Sequence, residues 1–430
     1  MIVTGTVRVP GDKSISHRAL FLAGLAPGGG ASELRGLLPG EDVQSTARVL
    51  RRLGAGISPI REDRTVTVRP HALKRPAGRL HCGNSGTTAR LALGALAGQR
   101  FPATLTGDAS LRRRPMRRVT DPLRLMGAKI TESPRGTLPV TIRGGRLVPI
   151  TYHSPVASAQ VKSAILFAGL TGRVAVTLTE PYRSRDHTER LFVQLGLDLH
   201  DVNGAISYQP SGKAIRGFGL TVPGDISSAA FLVAAAALAE GGELLIEQVG
   251  VNPTRTGFLV VLERMGAPVE RLNQGAEGEE PVADLLVRPA TALRGTEVTA
   301  AEIPTLVDEV PMLAVLASRA SGDTVFREVG ELRVKESNRL ELIAANLRAV
   351  GSEAEARGND LHVRGGGGAR PPRGRVETAG DHRLAMAFGV LRTLPGASVT
   401  LSERRSVAVS YPDFFAVLRG IAGERARHRD

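Results

Sequence analysis

Short runs of β-branched residues alternate with longer apolar stretches along the chain, and the alternation recurs. Val7-Arg-Val-Pro-Gly-Asp-Lys-Ser14 is matched by Leu220-Thr-Val-Pro-Gly-Asp-Ile-Ser227, and each run leads into an apolar stretch. Such a stretch is typical of a buried helix that follows a strand. The pattern predicts a first, apolar helix in six places: Ser16 to Ala26, Thr87 to Ala97, Ser158 to Leu170, Ser227 to Glu240, Val307 to Ser318 and His382 to Leu394.

A second, amphipathic helix is predicted in each copy. Between Asp42 and Leu53 the apolar residues Val43, Ala47 and Leu50 form a helical stripe, and Gly54 follows as a C-terminal stop. Similar stretches are Arg118 to Met126, His187 to Leu195, Thr254 to Met265, Ser337 to Val350 and Tyr411 to Ile421. Copies begin roughly every 70 to 80 residues, the length of a supersecondary unit. Each copy therefore reads strand–helix–strand–helix followed by further strand.

Six copies divide three and three near the second Val-Pro-Gly-Asp stretch. We expect an α/β protein with two similar domains: residues 11–222, and residues 1–10 together with 223–430. The strand Met1 to Pro10 can still pair with the C-terminal half, which puts two crossings near Pro10 and Pro223.

The net charge of +14 and the isoelectric point of about 10.8 raise the question of nucleic-acid binding. Only six of the 56 basic residues are lysine, so much of the charge reflects arginine-rich composition. Aromatic residues make up 3% and tryptophan is absent, which leaves few platforms for stacking bases. We therefore expect small anionic substrates rather than a nucleic acid.

The apolar stretch from Phe231 to Ala239 is too short to span a bilayer, and Met1 to Pro10 reads as a strand rather than a signal peptide. One cysteine, Cys82, excludes an internal disulfide and a cysteine zinc site. We expect a cytoplasmic protein with no membrane partner, no metal and no organic cofactor, and a monomer by default.

Unusual polar residues gather at the predicted helix starts, where free N–H groups favour anions. In the N-terminal half the candidate residues at these starts are Lys13, Ser14 and Arg18; Gly86 within Gly83 to Arg90; Arg114 within a run of arginines; Ser158, Ala159 and Gln160; and Arg185. His187 with Asp186 and Glu189 suggests a metal site, but a capped helix start is the simpler interpretation, because no second His or Cys has suitable spacing. The C-terminal half adds Asp308, Lys335, Glu336, Arg339 and Arg383.

The chain resembles the enolpyruvyl transferase family of 5-enolpyruvylshikimate-3-phosphate (EPSP) synthases. Motifs that match in family order are Pro-Gly-Asp-Lys13-Ser-Ile-Ser-His-Arg18, Gly-Asn84-Ser-Gly-Thr87, Arg114-Pro, Ser158-Ala-Gln160, Arg-Asp-His-Thr-Glu189, Asp308-Glu, Arg-Val-Lys335-Glu336-Ser-Asn-Arg339 and Gly-Asp-His-Arg383. The resemblance implies two domains of three βαβαββ units each (an inside-out α/β barrel) with the site in the interdomain cleft.

It also implies transfer of the enolpyruvyl group of phosphoenolpyruvate to the 5-hydroxyl of shikimate 3-phosphate. Residues implied for shikimate 3-phosphate are Lys13, Ser14, Arg18, Ser158, Ala159, Gln160, Arg185, Asp308 and Lys335. Those implied for phosphoenolpyruvate are Lys13, Gly86, Arg114, Gln160, Arg339 and Arg383. Asp308 is expected to be the base and Glu336 the proton carrier, with Lys13 as a further catalytic candidate. Val409 stands where some members have a phosphate-binding lysine.

Two alternatives remain open at this point. One is the sister transferase that uses UDP-N-acetylglucosamine, which places a cysteine near Arg112 to Arg117, where this chain has none. The other is a nucleic-acid protein with related repeats, such as RNA terminal phosphate cyclase. Gly86, which leaves room in the pocket, favours inhibition by glyphosate, a mimic of phosphoenolpyruvate.

Overall fold

The computed structural model describes residues 1–26, 28–62 and 64–423, and helices alternate with strands along nearly all of them. Residues 1 to 222 contain β1 (Gly5–Arg8), α1 (Lys13–Gly24), β2 (Ser32–Arg35), α2 (Glu41–Arg52), β3 (Gly56–Ile57), β4 (Val66–Arg69), β5 (Leu80–His81), α3 (Gly86–Ala97), β6 (Pro102–Thr106), α4 (Arg117–Leu125), β7 (Lys129–Glu132), β8 (Val140–Arg143), β9 (Ile150–His153), α5 (Ala159–Gly172), β10 (Val176–Thr179), α6 (His187–Gln194), β11 (Asp198–Val202), β12 (Ala205–Gln209) and β13 (Gly219–Thr221).

Residues 223 to 423 continue the same alternation. They contain α7 (Ile226–Ala237), β14 (Leu244–Gly250), α8 (Gly257–Arg264), β15 (Val269–Glu277), β16 (Glu280–Val287), β17 (Glu297–Val298), α9 (Val310–Arg319), β18 (Ser321–Phe326), α10 (Arg339–Ala349), β19 (Glu353–Arg357), β20 (Asp360–Gly366), β21 (Arg373–Val376), α11 (His382–Leu391), β22 (Ser398–Leu401) and α12 (Phe414–Ile421). Short 3₁₀ turns precede α4, α9, α10 and α12.

Five four-stranded sheets in the described chain share one topology. In the sheet β5-β6-β8-β7, the first two strands are parallel, β8 is antiparallel to β6, and β7 pairs with β8 at the edge. The same order recurs in the other four sheets, so each copy is a βαβαββ unit, as predicted. The sixth copy is shorter than expected: within residues 64–423 it has only the parallel pair β21–β22, followed by α12.

Two copies of the unit exchange their first strands. β1 pairs in parallel with β14, with Gly5 opposite Leu244, so the N-terminal strand lies in a sheet of the C-terminal half. Reciprocally, β13 pairs in parallel with β2, with Gly219 opposite Glu33. The chain therefore enters and leaves the residue 11–222 segment at the ends of two short strands, next to Pro10 and Pro223.

The chain divides into two compact units, each with a hydrophobic core of its own. The N-terminal unit is Gly11–Val222 together with Glu277–Glu280, which joins β15 to β16. The C-terminal unit comprises Met1–Pro10, Pro223–Ala276 and the chain from Pro281. Among residues 1–26, 28–62 and 64–423, no helix is both long and apolar enough to cross a bilayer.

The first helix of each copy lies inside its unit. All twelve residues of α7 and all ten of α11 are buried. The sheets, in contrast, bury one face: along β4, buried positions alternate with partly exposed or exposed ones. Helices thus fill the interior and sheets cover them, which agrees with an inside-out arrangement within each unit.

Close helix packing in the N-terminal unit depends on Gly94 in α3. A Cβ atom added there would lie 2.2 Å from the backbone oxygen of Ala164 in α5, far inside van der Waals contact. The added Cβ would be fixed to the backbone of α3, and the Ala164 oxygen belongs to the backbone of α5. Neither atom can move away without displacing a buried helix.

We expect Gly94→Ala to lower the free energy of unfolding by about 1–3 kcal/mol, since it overpacks this helix contact. Gly145→Ala is the matched control in the same unit, because a Cβ there meets no atom within 4 Å. Urea unfolding followed by far-UV circular dichroism compares the two variants with the parent chain. Equal midpoints for all three proteins would contradict the packing assignment.

Candidate functional site

The start of α1 places charged and hydroxyl groups in its first turn. The carboxylate of Asp12 accepts the backbone N–H of Ile15 at 2.9 Å and so caps the helix. The cap explains why α1 begins at Lys13, three residues before the predicted Ser16. The ammonium group of Lys13 lies 3.3 Å from Asp42 of α2. Lys13 and Ser14 therefore stand at a helix N-terminus, where an anion is favoured.

Arg18 is fully buried and ties three helices together. Its Nε donates to Thr188 of α6 at 2.7 Å, and its Nη2 donates to Ser163 of α5 at 2.7 Å. Its Nη1 donates to the backbone oxygen of Ser14 at 2.9 Å. Burial lowers the pKa of Arg18 to about 10, against the opposing effect of the Glu189 carboxylate. The guanidinium group thus positions the first turn of α1 through its backbone.

The start of α3 brings Gly86, Arg90 and Gln160 together. Ser85 caps this helix by accepting the N–H of Thr88 at 3.1 Å. Arg90, one turn on, donates to the Gln160 side-chain oxygen at 2.5 Å and to the Pro115 carbonyl at 3.0 Å. A Cβ at Gly86 would lie 2.8 Å from Arg90 Nη1, so only glycine leaves that guanidinium in place.

Arg90 was absent from the predicted set. The signal that identifies it is helical spacing: four residues after Gly86, it lies on the same face of α3.

Arg114 is the one buried arginine in its run. It is 8% exposed, whereas Arg112, Arg113 and Arg117 are exposed to solvent. Its Nη2 donates to the side-chain oxygen of Asn84, and Asn84 in turn donates to Asp108 at 2.8 Å. Gly86 is its neighbour, since a Cβ there would lie 3.5 Å from Arg114 Nη1. Arg114, the clamp candidate of the sequence analysis, is therefore the arginine of this run that lies beside Gly86.

Glu180 connects the loops that carry Ser158 and Arg185. Its carboxylate accepts the Ser158 N–H at 3.0 Å and the Ser184 hydroxyl at 2.8 Å. Arg185 follows Ser184 and reaches the Ser14 hydroxyl with an N–O distance of 3.5 Å. The carbonyl oxygen of Ala159, the first residue of α5, accepts a hydrogen bond from the Ser163 hydroxyl at 2.5 Å. The starts of α1 and α5 and the loop before α6 thus meet around these groups.

A buried ion pair holds this arrangement. Lys162 Nζ lies 3.0 Å from Glu180 and 2.7 Å from Glu189, and both carboxylates are almost fully buried. Burial alone would lower the pKa of Lys162, but the two carboxylates outweigh it and raise the pKa above its usual value. Lys162 therefore stays charged inside the protein and fixes Glu180.

The residues considered for a metal have other partners. His187 Nδ1 makes a 2.7 Å hydrogen bond with Glu280, Glu189 pairs with Lys162, and Asp186 accepts from Arg190 at 3.0 Å. In the described ranges, no group of three or more His, Cys, Asp or Glu side chains could hold a metal ion.

Cys82 lies beside the α3 start but is inaccessible. It is fully buried, and this burial raises the pKa of its thiol to about 12. A thiol that keeps its proton and has no solvent contact is a poor nucleophile.

The C-terminal unit carries a carboxylate ringed by three cations. The side-chain oxygens of Asp308 lie 3.7 Å from Lys335 Nζ, 3.5 Å from Arg339 Nη1 and 3.8 Å from Arg383 Nη2. Arg383 also donates to the Asp308 backbone oxygen at 2.9 Å. Asp308 is 13% exposed, so solvent can reach it. It precedes α9, which begins at Val310 rather than at the predicted Val307, because a 3₁₀ turn at Ile303–Thr305 comes first.

Arg339 organises the acidic groups of this unit. It forms two hydrogen bonds with Asp381, at 2.7 and 3.2 Å, and its Nη2 lies 2.5 Å from Glu336. Burial alone would lower the pKa of Arg339, but Asp381, Glu336 and Asp308 together raise it. Asp381 also caps α11 by accepting the Arg383 N–H at 3.0 Å. One buried guanidinium thus links the starts of α10 and α11.

Glu309 is a buried carboxylate that contacts Arg383. Glu309 is 1% exposed, lies 3.5 Å from Arg383 Nη1 and accepts a hydrogen bond from the hydroxyl of Ser227. Arg255 donates to the same hydroxyl at 2.6 Å. Glu309 and Arg255 are therefore linked through the Ser227 hydroxyl and lie beside Arg383. The sequence analysis did not single them out as candidates.

Each unit therefore gathers its own predicted residues. The N-terminal unit collects hydroxyls, an amide and cations at helix starts, a set that suits anion binding. The C-terminal unit collects two partly exposed carboxylates, Asp308 and Glu336, among cations, a set that suits proton transfer beside negative charge.

A family model described as EPSP synthase (3-phosphoshikimate 1-carboxyvinyltransferase) matches residues 2–418. The chain is similar to a 3-phosphoshikimate 1-carboxyvinyltransferase from Geobacillus kaustophilus, with 46% identity over 422 residues that cover 97% of each protein. It is also similar to the solved EPSP synthase from Acinetobacter baumannii, with a TM-score of 0.85, 40% identity, and coverage of 98% of this chain and 96% of that one.

A more distant structure shares the fold. The enolpyruvyl transferase NikO from Streptomyces tendae aligns with a TM-score of 0.77 at 22% identity, covering 98% of this chain and 96% of that chain. The fold is thus that of enolpyruvyl transferases. Within them, the chain belongs to the EPSP synthase family, whose curated members are transferase enzymes.

Lys162→Met is expected to lower the free energy of unfolding by about 3–5 kcal/mol, because it leaves two carboxylates buried without a cation. The control is Arg35→Ala in the same unit, which removes an exposed pair with Glu33 at 3.8 Å and should change stability by less than about 1 kcal/mol. Urea unfolding measures both. Similar losses in the two variants would show that the Lys162 pair does not organise the unit.

Proposed function

We propose that this enzyme transfers the enolpyruvyl group of phosphoenolpyruvate to the 5-hydroxyl of shikimate 3-phosphate, a step of the shikimate pathway. The products are 5-enolpyruvylshikimate 3-phosphate and phosphate. The observation that carries the proposal is the family match over residues 2–418, because it spans both units and every candidate residue. The acceptor is assigned from the curated relatives, which are named 3-phosphoshikimate 1-carboxyvinyltransferases.

Binding of shikimate 3-phosphate is assigned mainly to the helix starts of the N-terminal unit. The proposed residues are Lys13, Ser14, Arg18, Ser158, Ala159, Gln160 and Arg185, with Asp308 and Lys335 from the C-terminal unit. Support comes from the contacts that hold Ser14, Arg18 and Arg185 together. Arg18 is engaged by three helices, so we assign its effect to the backbone of Ser14 as much as to direct contact.

Phosphoenolpyruvate is assigned to Lys13, Gly86, Arg114, Gln160, Arg339 and Arg383. Arg90 joins this set, because it holds the Gln160 amide and borders Gly86. The room left by Gly86 also supports inhibition by glyphosate, which mimics phosphoenolpyruvate. Both substrates are anions, and two unit charges about 4 Å apart repel by about 4 kcal/mol at an effective dielectric of 20. The arginines and lysines offset this repulsion.

The proposed reaction is an addition followed by an elimination. The oxygen of the 5-hydroxyl bonds to C2 of phosphoenolpyruvate while Asp308 takes the hydroxyl proton, and C3 gains a proton and becomes a methyl group. Cleavage of the bond between C2 and the phosphate oxygen then releases phosphate, and loss of a C3 proton restores the double bond. Positioned acid–base groups contribute about 10²–10⁴-fold each.

Glu336 is proposed to carry the C3 proton. Its 2.5 Å contact with Arg339 favours the ionised carboxylate, which suits the acceptance of a proton in the elimination step. An ionised carboxylate carries no proton to deliver to C3 in the addition step, so Lys13 or Lys335 is the alternative donor.

We further infer a monomer that works in the cytoplasm.

Phosphate release tests the reaction. The chain is incubated with phosphoenolpyruvate and either shikimate 3-phosphate or UDP-N-acetylglucosamine. Release only with shikimate 3-phosphate supports the proposal. Release only with the sugar nucleotide would keep the transferase fold but overturn the acceptor. No release with either acceptor, from protein with native circular dichroism, would overturn the assigned activity.

Asp308→Ala should lower kcat by about 10²–10⁴-fold and weaken binding of shikimate 3-phosphate far less, since it removes the base and one contact but keeps the surrounding cations. Asp323→Ala in β18 is the matched control, because Asp323 is exposed and belongs to the same unit. Steady-state kinetics and isothermal titration calorimetry separate turnover from binding. A near-normal kcat for Asp308→Ala would remove Asp308 from the mechanism.

A further inference from the structure

A cavity of about 380 Å³ lies in the C-terminal unit, at the C-terminal end of α11 and beside α12. None of the residues assigned to the proposed reaction lines it. Asp381 and Arg383 lie at the start of α11. Arg392, at the cavity, is nine residues beyond Arg383, which is about 14 Å along the helix axis. The cavity is therefore separate from the acidic group of the same unit.

Three arginines line this cavity: Arg392, Arg404 and Arg419. Among the lining residues that the structure describes, the one acidic residue is Glu240, which forms an ion pair with the α-ammonium group of Met1. Cationic side chains therefore outnumber acidic ones in the described part of the lining. Such a lining favours an anionic ligand over a neutral or cationic one.

The remaining wall is apolar and partly aromatic. Phe415, Leu394 and Leu418 contribute side chains, and Gly389 packs closely against Phe415, since a Cβ there would lie 2.8 Å from the ring. The guanidinium carbon of Arg404 lies 5.4 Å from the centre of the Phe415 ring, a distance at which cation and ring attract. Stacking of this kind holds the arginine in one orientation, so less freedom is lost when it binds a carboxylate.

We propose that this cavity binds a small aromatic carboxylate. Its volume falls in the range of about 300–1,000 Å³ that is usual for small-molecule sites. A guanidinium group recognises a carboxylate through two parallel hydrogen bonds. The apolar wall matches a flat ring, which an inorganic anion lacks. The site goes beyond the proposed function, because it uses none of the residues assigned to the transfer reaction.

The probe is 4-fluorobenzoate, whose binding to the full-length chain is followed by ¹⁹F NMR. We expect saturable binding that persists when shikimate 3-phosphate or phosphoenolpyruvate is added separately at saturation. Displacement by either substrate would assign the probe to the reaction site and overturn the proposal. Displacement by an equal concentration of inorganic phosphate would overturn the aromatic specificity.

Charge-removing variants locate the site. Arg404→Gln and Arg419→Gln should each weaken 4-fluorobenzoate binding at least fivefold. Arg405→Gln is the matched control, because it removes the same charge one position away, outside the cavity lining. Circular dichroism and phosphate release verify that the variants are folded. Equal affinities in all three variants would overturn the site. Binding that is seen only in a chain ending at Gly423, and not in the full-length chain, would also overturn it.

Discussion

Burial of the first helix of each repeat decides where charged groups can lie. A helix such as α7, buried along its whole length, has no solvent-facing side. A charged side chain in its middle would have to leave water without compensation, at a cost of several kcal/mol. Charged and hydroxyl groups therefore collect at the helix starts, where unsatisfied N–H groups and the helix dipole favour negative charge. The concentration of N–H groups, hydroxyls and cations at the helix starts of the N-terminal unit, a set that suits anions, follows from this constraint.

Two of the cations buried inside the units are paired with carboxylates. Lys162 in α5 has two carboxylates within 3.0 Å, and Arg339 at the start of α10 has Asp381 and Glu336. Each of these cations connects several chain segments and so fixes the orientation of groups that face solvent. Rigid support of this kind is what a reaction with two anionic substrates requires, because the cations must be in place before the substrates arrive.

Much of the architecture could be predicted from the sequence because the unit is repeated. Six copies of one pattern allowed each helix to be recognised by comparison with the others, and Arg114 could be selected from its run by the following proline. The pairing of β13 with β2, the other half of the strand exchange, could not be predicted, since β13 has only three residues and pairing depends on contacts distant in sequence. The start of α1 was placed too late, because the cap at Asp12 competes with the apolar pattern that begins further on. Arg90 was missed, as its role depends on Gln160 from another helix.

Protonation at C3 of phosphoenolpyruvate is the step on which the proposed chemistry depends, and running the reaction in D₂O tests it most directly. The methylene group of the product is then examined by mass spectrometry and proton NMR. Deuterium in that methylene is the predicted result, because a transient methyl group that gains a deuteron can lose a proton instead. A product that forms with phosphate release but carries no deuterium there would contradict addition followed by elimination, and with it the role given to Glu336.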